Sequence, residues 1–372
     1  MILVITAERE TGLHYHRQII PFKTLGIDYE IQTTDIGLED DYLKKFKCIS
    51  FLRELPDVSR YKKLGLKVHL DIDDYWVLPS THSLAKVYKL TKKSELTIAS
   101  LKEADFVTTT TPILADKIKP YNSNVFVLAN AINPNEDQWL INPVEVSHNR
   151  TRFGYIAGSH HQKDVEMMHP ELISLYSDAT IKDQWQLVLG GYNFTAMPNG
   201  TVEHNKYYQY IERLFTCRFR NGQHLSLLRP WLADRLESTK LCEFRDMDDP
   251  YMRLNGGTTY TYAKQYDSID VSLVPLCANT FNACKSQLKM IEAGFKKKAV
   301  MVSDVMPYRL DFTKDNVLVT KDNEWKKNIK YLLNNKNKIV DLQESLHEYV
   351  VNRYHIDIVN KERKQVFDQW LK

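Results

Sequence analysis

Cysteine is sparse and scattered. Cys48, Cys217, Cys242, Cys277 and Cys284 are the five in 372 residues, and none forms a Cys-x-x-Cys pair. This excludes a zinc ribbon and a disulfide framework, and it fits small core residues in a reducing compartment. Charge of one sign is also missing: 50 Lys and Arg against 47 Asp and Glu leave a net charge of +3. A dedicated nucleic-acid binder carries a far more basic footprint. No window is apolar over the length of a transmembrane helix. The opening Met1-Ile2-Leu3-Val4-Ile5-Thr6 is too short for the core of a signal peptide and has no basic flank. It reads as a buried first strand, and the expected location is cytoplasmic. Internal repeats and low-complexity tracts are absent.

Apolar residues make up 43% of the chain, enough for ordinary cores, and the length predicts two domains. Strand and helix patterns alternate, the sign of α/β layers around parallel sheets. Strands are predicted at residues 2–6, 29–32, 48–51, 67–70, 106–110 and 125–128, with a loop and helix over 12–25 and helices over 59–64 and 81–104. Residues 133–150, with Pro134, Pro143 and a polar end, read as a linker. Beyond it, strands are predicted at 153–157, 185–189, 241–244, 271–274, 299–302 and 316–319, with helix over 258–266 and over 324–372, the latter broken near Tyr354-His355. Residues 194–240 are aromatic-rich, fit this rhythm poorly and read as an insertion.

Residues 270–308 carry the most information: strand, loop, helix, strand. A helix starting near Asn282 puts Lys285, Lys289 and Glu292 at i, i+4 and i+7 on one side. Leu288, Ile291 and Phe295 fall on the apolar side. A helix start behind a strand, with two lysines, suits a phosphate, and a carboxylate two turns in suits sugar hydroxyls. The plain alternative is a solvated helix with Lys/Glu pairs. Three other loops follow strands and so belong where open α/β sheets bind ligands. Gly12 leads to His14, His16 and Arg17; Gly158-Ser159 leads to His160, His161 and Lys163; Gly190-Gly191 reads as a tight turn. Tight turns or polar loops alone would also explain each. Asp71, Asp73 and Asp74 invite a metal reading, or a role in a turn.

The 270–308 stretch resembles the donor-binding helix of GT-B glycosyltransferases, in particular the large retaining group 1, or family 4. The resemblance extends through His69-Leu70-Asp71-Ile72-Asp73-Asp74, residues 104–108, residues 125–132 and Arg152-Phe153-Gly154-Tyr155-Ile156-Ala157-Gly158-Ser159. It implies two Rossmann-like domains facing each other across a cleft: residues 1–147 for the acceptor and 148–354 for the nucleotide-sugar donor. A C-terminal helix, 355–372, crosses back to the first domain. The implied reaction moves a hexose or pentose from a nucleotide diphosphate sugar to a hydroxyl, with retention, without metal and with no cofactor beyond the donor substrate.

Carried onto this sequence, the resemblance implies catalytic roles for His14, His16, Arg17, Lys285 and Lys289. It implies donor binding by Gly158, Ser159, Lys163, Gly190, Asn282, Ser286 and Glu292. Asp71-Ile72-Asp73 spells the metal motif of a different glycosyltransferase fold, but no metal site is expected here. One departure stands out. The family has two glutamates eight positions apart; Glu292 matches the second, and Cys284 stands in place of the first. The acceptor stays open between saccharide, lipid-linked and DNA-base classes. Lysines in 86–102 and 296–298 would serve a virus-type enzyme acting on modified DNA bases, and Cys284 motivates a non-catalytic nucleotide-sugar binding module.

Overall fold

The computed structural model describes all residues except 7–10, 143–148, 200, 217–218, 221–222, 225–249, 311 and 314. The chain forms two compact units. One holds Met1–Asn133, Asn279–Leu288 and Asn352–Lys372; the other holds Pro134–Ala278 and Lys289–Val351.

The first unit is built on a six-stranded sheet: β1 (Ile2–Ile5), β2 (Tyr29–Gln32), β3 (Cys48–Leu52), β4 (Lys67–Ile72), β5 (Phe106–Thr109) and β6 (Val125–Val127). Every pairing is parallel, in the order β2-β1-β3-β4-β5-β6. Parallel sheets are covered on both faces, so their strands are apolar throughout rather than alternating. Ile2, Leu3 and Val4 are accordingly all fully buried. On one face Leu3, Ile49, Val68 and Val107 pack with Leu101 and Leu114. The other face carries Ile2, Val4 and Phe106, and the C-terminal helix Ile356–Leu371 closes it. Trp370 stacks on Phe106 at 5.0 Å, and Phe367 meets Phe22 and Phe106 edge-on at 5.3 and 5.5 Å.

The second unit repeats the plan with β7 (Thr151–Ile156), β8 (Trp185–Tyr192), β9 (Phe194–Ala196), β10 (Val202–His204), β11 (Phe219–Arg220), β12 (Gln223–His224), β13 (Tyr251–Asn255), β14 (Val271–Val274), β15 (Ala299–Ser303) and β16 (Leu318–Thr320). Six of these form a parallel sheet in the order β13-β8-β7-β14-β15-β16. The strand pairs β9–β10 and β11–β12 are antiparallel ribbons. Helices Gln162–Tyr176, Lys206–Phe215 and Trp325–Asn334 bury Met168, Ile211 and Trp325 against the sheet.

Some predicted elements differ. The predicted helix over 81–104 is two helices, Ala85–Leu90 and Lys93–Glu103, broken where Lys92 takes a left-handed backbone (φ 50°). Helix was predicted over 258–266, and the chain forms a tight 3₁₀ turn at Tyr262–Ser268 instead. Within the predicted linker, Asp137–Trp139 make a helical turn with Trp139 buried. The predicted strand at 241–244 and part of the predicted insertion lie outside the described residues. Among the described residues no helix is long and apolar enough to cross a membrane.

Candidate functional site

In the second sheet, chain order reverses between β7 and β14. Open parallel sheets bind ligands beyond the carboxyl ends of their strands at such a reversal. Tyr155 lies near the end of β7, and Gly158 and Ser159 follow it. A Cβ on Gly158 would meet nothing within 4 Å, so the loop backbone is open to close approach. Asp164, in the first turn of helix Gln162–Tyr176, is buried. It lies 2.7 Å from His161 Nδ1 and accepts the Cys277 N–H at 2.8 Å, which ties this turn to the loop after β14. Burial opposes its charge, but His161, the Cys277 N–H and Lys289 hold its carboxyl below the ordinary range.

Lys289 occupies the first turn of helix Leu288–Phe295, with Nζ 5.7 Å from the centre of the Tyr155 ring. The Tyr155 hydroxyl is buried with no hydrogen-bond partner among the described residues. One turn further on, Glu292 is only 6% exposed. Tyr262 donates to its Oε1 at 2.6 Å and Tyr266 to its Oε2 at 3.0 Å.

Several expectations are corrected here. The helix starts at Leu288, not near Asn282. Asn279 accepts the Asn282 N–H at 2.8 Å and caps a single turn, Thr280–Ala283, after which residues 284–287 leave the helix. Lys285 therefore does not share a helix face with Lys289 and Glu292; its Nζ lies 4.7 Å from the Phe281 ring centre. Asn282 is buried in the single turn. Gly190 is not in a turn, because β8 runs on to Tyr192. A Cβ there would lie 2.6 Å from Gln265 Oε1 and 2.9 Å from Ile156 Cγ1, so the glycine serves packing. Lys163 is exposed and pairs with Glu166 at 2.5 Å along its own helix. Lys296, expected to be free for a polyanion, is buried, pairs with Asp267 at 2.8 Å and donates to the Gln138 carbonyl at 3.1 Å.

In the first unit the segment 12–25 is helical from its start, widened to π geometry over Tyr15–Ile19. Such widenings recur at functional sites. His14 lies 2.9 Å from Thr11 Oγ1, and both His14 and His16 are buried. Arg17, expected from the resemblance to act in catalysis, is a buried anchor. It grips Asp71 through two bonds of 2.9 and 2.8 Å, and donates to the Leu128 carbonyl at 2.7 Å and to Asn130 Oδ1 at 3.2 Å. Asn130 passes the chain on to Ser286 Oγ at 2.8 Å. Thr108 donates to Asp71 at 2.5 Å, and His69 lies 2.8 Å from both Thr108 and Ser50. Burial opposes the Asp71 charge, yet Arg17 keeps its carboxyl below the ordinary range. Burial pushes His69 down to about 4, so it is neutral at physiological pH.

Asp73 and Asp74 pair with Arg53 at 2.7 and 2.9 Å. Among the described residues no group of three or more His, Cys, Asp or Glu is placed to hold a metal ion. Cys284 is fully buried among Leu70, Val107 and Leu114, and burial pushes its thiol up to about 11.

No family model matches the sequence, and no curated protein matches it. Solved structures do. A glycosyltransferase from Rickettsia africae ESF-5 matches with TM-score 0.62 at 12% identity, over 100% of this chain and 98% of its own. Sucrose-phosphate synthase from Thermosynechococcus elongatus gives 0.64 at 13%, over 99% and 98%. HepE from Anabaena, in complex with UDP-glucose, gives 0.61 at 11%, over 99% of both. The fold is GT-B. At these identities the likeness fixes the architecture, and residue roles in this GT-B chain rest on geometry. Sequence reading missed Tyr155, Asp164, Tyr262 and Tyr266. The available signal was the i, i+4 spacing of the two tyrosines just ahead of β14.

Proposed function

We propose that the chain is a glycosyltransferase moving a sugar from a nucleoside diphosphate sugar to a hydroxyl acceptor. The observation that carries this reading is GT-B architecture matched over nearly the whole chain, with UDP-glucose-bound HepE among the proteins it resembles. The second domain takes the donor and the first takes the acceptor. In the reaction, the bond from the anomeric carbon to the diphosphate oxygen breaks, and the diphosphate leaves with the electron pair. A bond to the acceptor oxygen forms, and the acceptor proton is lost. Negative charge grows on the leaving diphosphate, so a fixed cation beside it lowers the barrier.

Lys289 is that cation in our reading, held by Tyr155 and Asp164. Glu292, oriented by Tyr262 and Tyr266, receives the ribose hydroxyls. His14 and His16 are assigned to the transfer side, and Arg17 is assigned no substrate contact. Retention and independence from metal belong to the same proposal and follow from the resemblance to group 1 enzymes.

A screen of nucleoside diphosphates and their sugars by thermal shift tests the reading, because a ligand that binds only the folded state raises its stability. Release of nucleoside diphosphate in the presence of mixed acceptors then tests transfer. A screen in which no such ligand raises the melting temperature overturns it. Cys284 favours one second reading, a nucleotide-sugar binder without transfer, since a buried thiol cannot replace a carboxylate. Donor binding without product would single that reading out.

A further inference from the structure

We propose that the first unit docks on an anionic lipid surface through the segment that follows β4. This goes beyond the glycosyltransferase reading and does not depend on it, because the segment would hold the chain at a membrane whatever the substrate. Of the apolar residues between Tyr75 and Leu96, only Trp76 is buried. Short helices are held in a fold by the apolar face they bury. Helix Ala85–Leu90 buries none of its residues. It presents Val87, about half exposed, and Leu90, 83% exposed, three positions apart on one face. Val77 before it and Leu96 after it are also about half exposed.

Polar contacts, rather than apolar burial, tie this segment to the unit. Ser94 donates to the Trp76 carbonyl at 2.8 Å, Lys93 pairs with Glu54 at 2.5 Å, and the Leu84 N–H donates to His82 Nδ1 at 3.1 Å. In the next helix, Lys93–Glu103, the buried positions are Thr97, Ser100 and Leu101, which leaves Leu96 outside. The outward apolar side chains are thus carried on a hydrogen-bonded scaffold.

Charge selects the surface they meet. Lys86, Lys89 and Lys92 are exposed, and none makes an ion pair among the described residues. Glu95 is the single acidic residue between Tyr75 and Leu96. A nucleic acid would engage the lysines through its phosphates and leave Val87 and Leu90 in water. An anionic bilayer engages both. Its phosphates attract the ammonium groups, and the boundary between headgroups and acyl chains accepts the aliphatic side chains. Lysine stems can lie along that apolar contact while their charged ends stay at headgroup level.

The test sediments the intact chain with sucrose-loaded vesicles, one set of phosphatidylcholine alone and one with phosphatidylglycerol added. The chain should bind the anionic vesicles at about 0.05 M salt, release at about 0.5 M, and bind the neutral vesicles far more weakly. Lys86→Gln with Lys89→Gln should weaken binding about 25-fold, at about fivefold per lysine. Val87→Ser with Leu90→Ser should weaken it by about tenfold or more. Both double variants should melt with the parent, because the altered side chains lie on the surface. Absence of binding to anionic vesicles at low salt would overturn the proposal, as would parental binding by either double variant. Tighter binding to duplex DNA than to anionic vesicles would overturn it in favour of nucleic acid. A dimer in sedimentation velocity that Val87→Ser with Leu90→Ser dissolves would overturn it in favour of a second copy of the chain.

Discussion

Replacing Arg17 by methionine keeps most of the side-chain volume and removes four buried hydrogen bonds: two to Asp71, one to the Leu128 carbonyl and one to Asn130. Asp71, 3% exposed, is left with the Thr108 hydroxyl and no neighbouring cation in bonding contact. Breaking a buried pair from one side costs about 3–5 kcal/mol, because the remaining charge is uncompensated. Whole-domain stabilities are about 5–15 kcal/mol, so the first unit should lose a large share of its margin. Arg17→Met with Asp71→Leu removes both charges and should cost about 2 kcal/mol less than the sum of the single changes. Urea unfolding measures both quantities, and calorimetry with a nucleoside diphosphate should show parental affinity in the single variant. The sign with pH also follows. The folded pKa of Asp71 lies below its ordinary 3.8. Its contribution is therefore present above that value and lost as pH falls through the lowered one. A cost under about 1 kcal/mol for Arg17→Met, or lost nucleotide affinity at parental stability, would refute the anchor reading and restore Arg17 as a ligand.

His69 should make the fold acid-sensitive: its pKa falls from 6.5 to about 4, so stability is full above 6.5 and drops as pH falls toward 4, by about 3 kcal/mol in all. His69→Gln should flatten that part of the urea-midpoint profile, and an unchanged slope would remove His69 as the cause. Lys289→Ala should weaken nucleoside diphosphate binding by about 1.5–3 kcal/mol in calorimetry, the worth of a charge-assisted bond; equal affinity would dismiss Lys289 from the donor site. Gly190→Ala should lower unfolding stability by about 1–3 kcal/mol through its clash with Gln265 and Ile156, and parental stability would show that the strand has room after all. Turnover should survive exhaustive chelation, whereas loss with EDTA and recovery with Mn²⁺ or Mg²⁺ would promote the acidic cluster after β4 to a metal site.

The strands were legible because burial on both faces writes them as unbroken apolar runs; residues 299–302 were expected as a strand and belong to β15. The helix breaks were not. Residues 284–287 contain neither Gly nor Pro, and Ser286 there accepts a bond from Asn130, 156 positions earlier. Lys92 likewise turns left-handed without a glycine to announce it. Gly190-Gly191 misled for the opposite reason: glycine marks turns, but it also marks places where a neighbour's side chain occupies the Cβ position. Arg17 illustrates the limit for site residues. Its place in the segment after β1 was readable, but its partner lies 54 residues away, and no local pattern distinguishes an arginine awaiting a ligand from one already spent on Asp71.

The C-terminal helix has a consequence for synthesis. All six strands of the first sheet lie within the first 133 residues, yet Val366, Phe367 and Trp370 cover their Phe106 face. While the ribosome makes the intervening chain, at about 5–20 residues per second, that face waits uncovered for roughly ten to fifty seconds. The nascent chain therefore carries a complete set of parallel strands with Phe22, Phe106 and Leu128 open to any apolar surface it meets, including a neighbouring nascent copy. A chaperone that shields apolar segments would act in this interval. Translation stopped anywhere before residue 356 leaves the first unit permanently in that state.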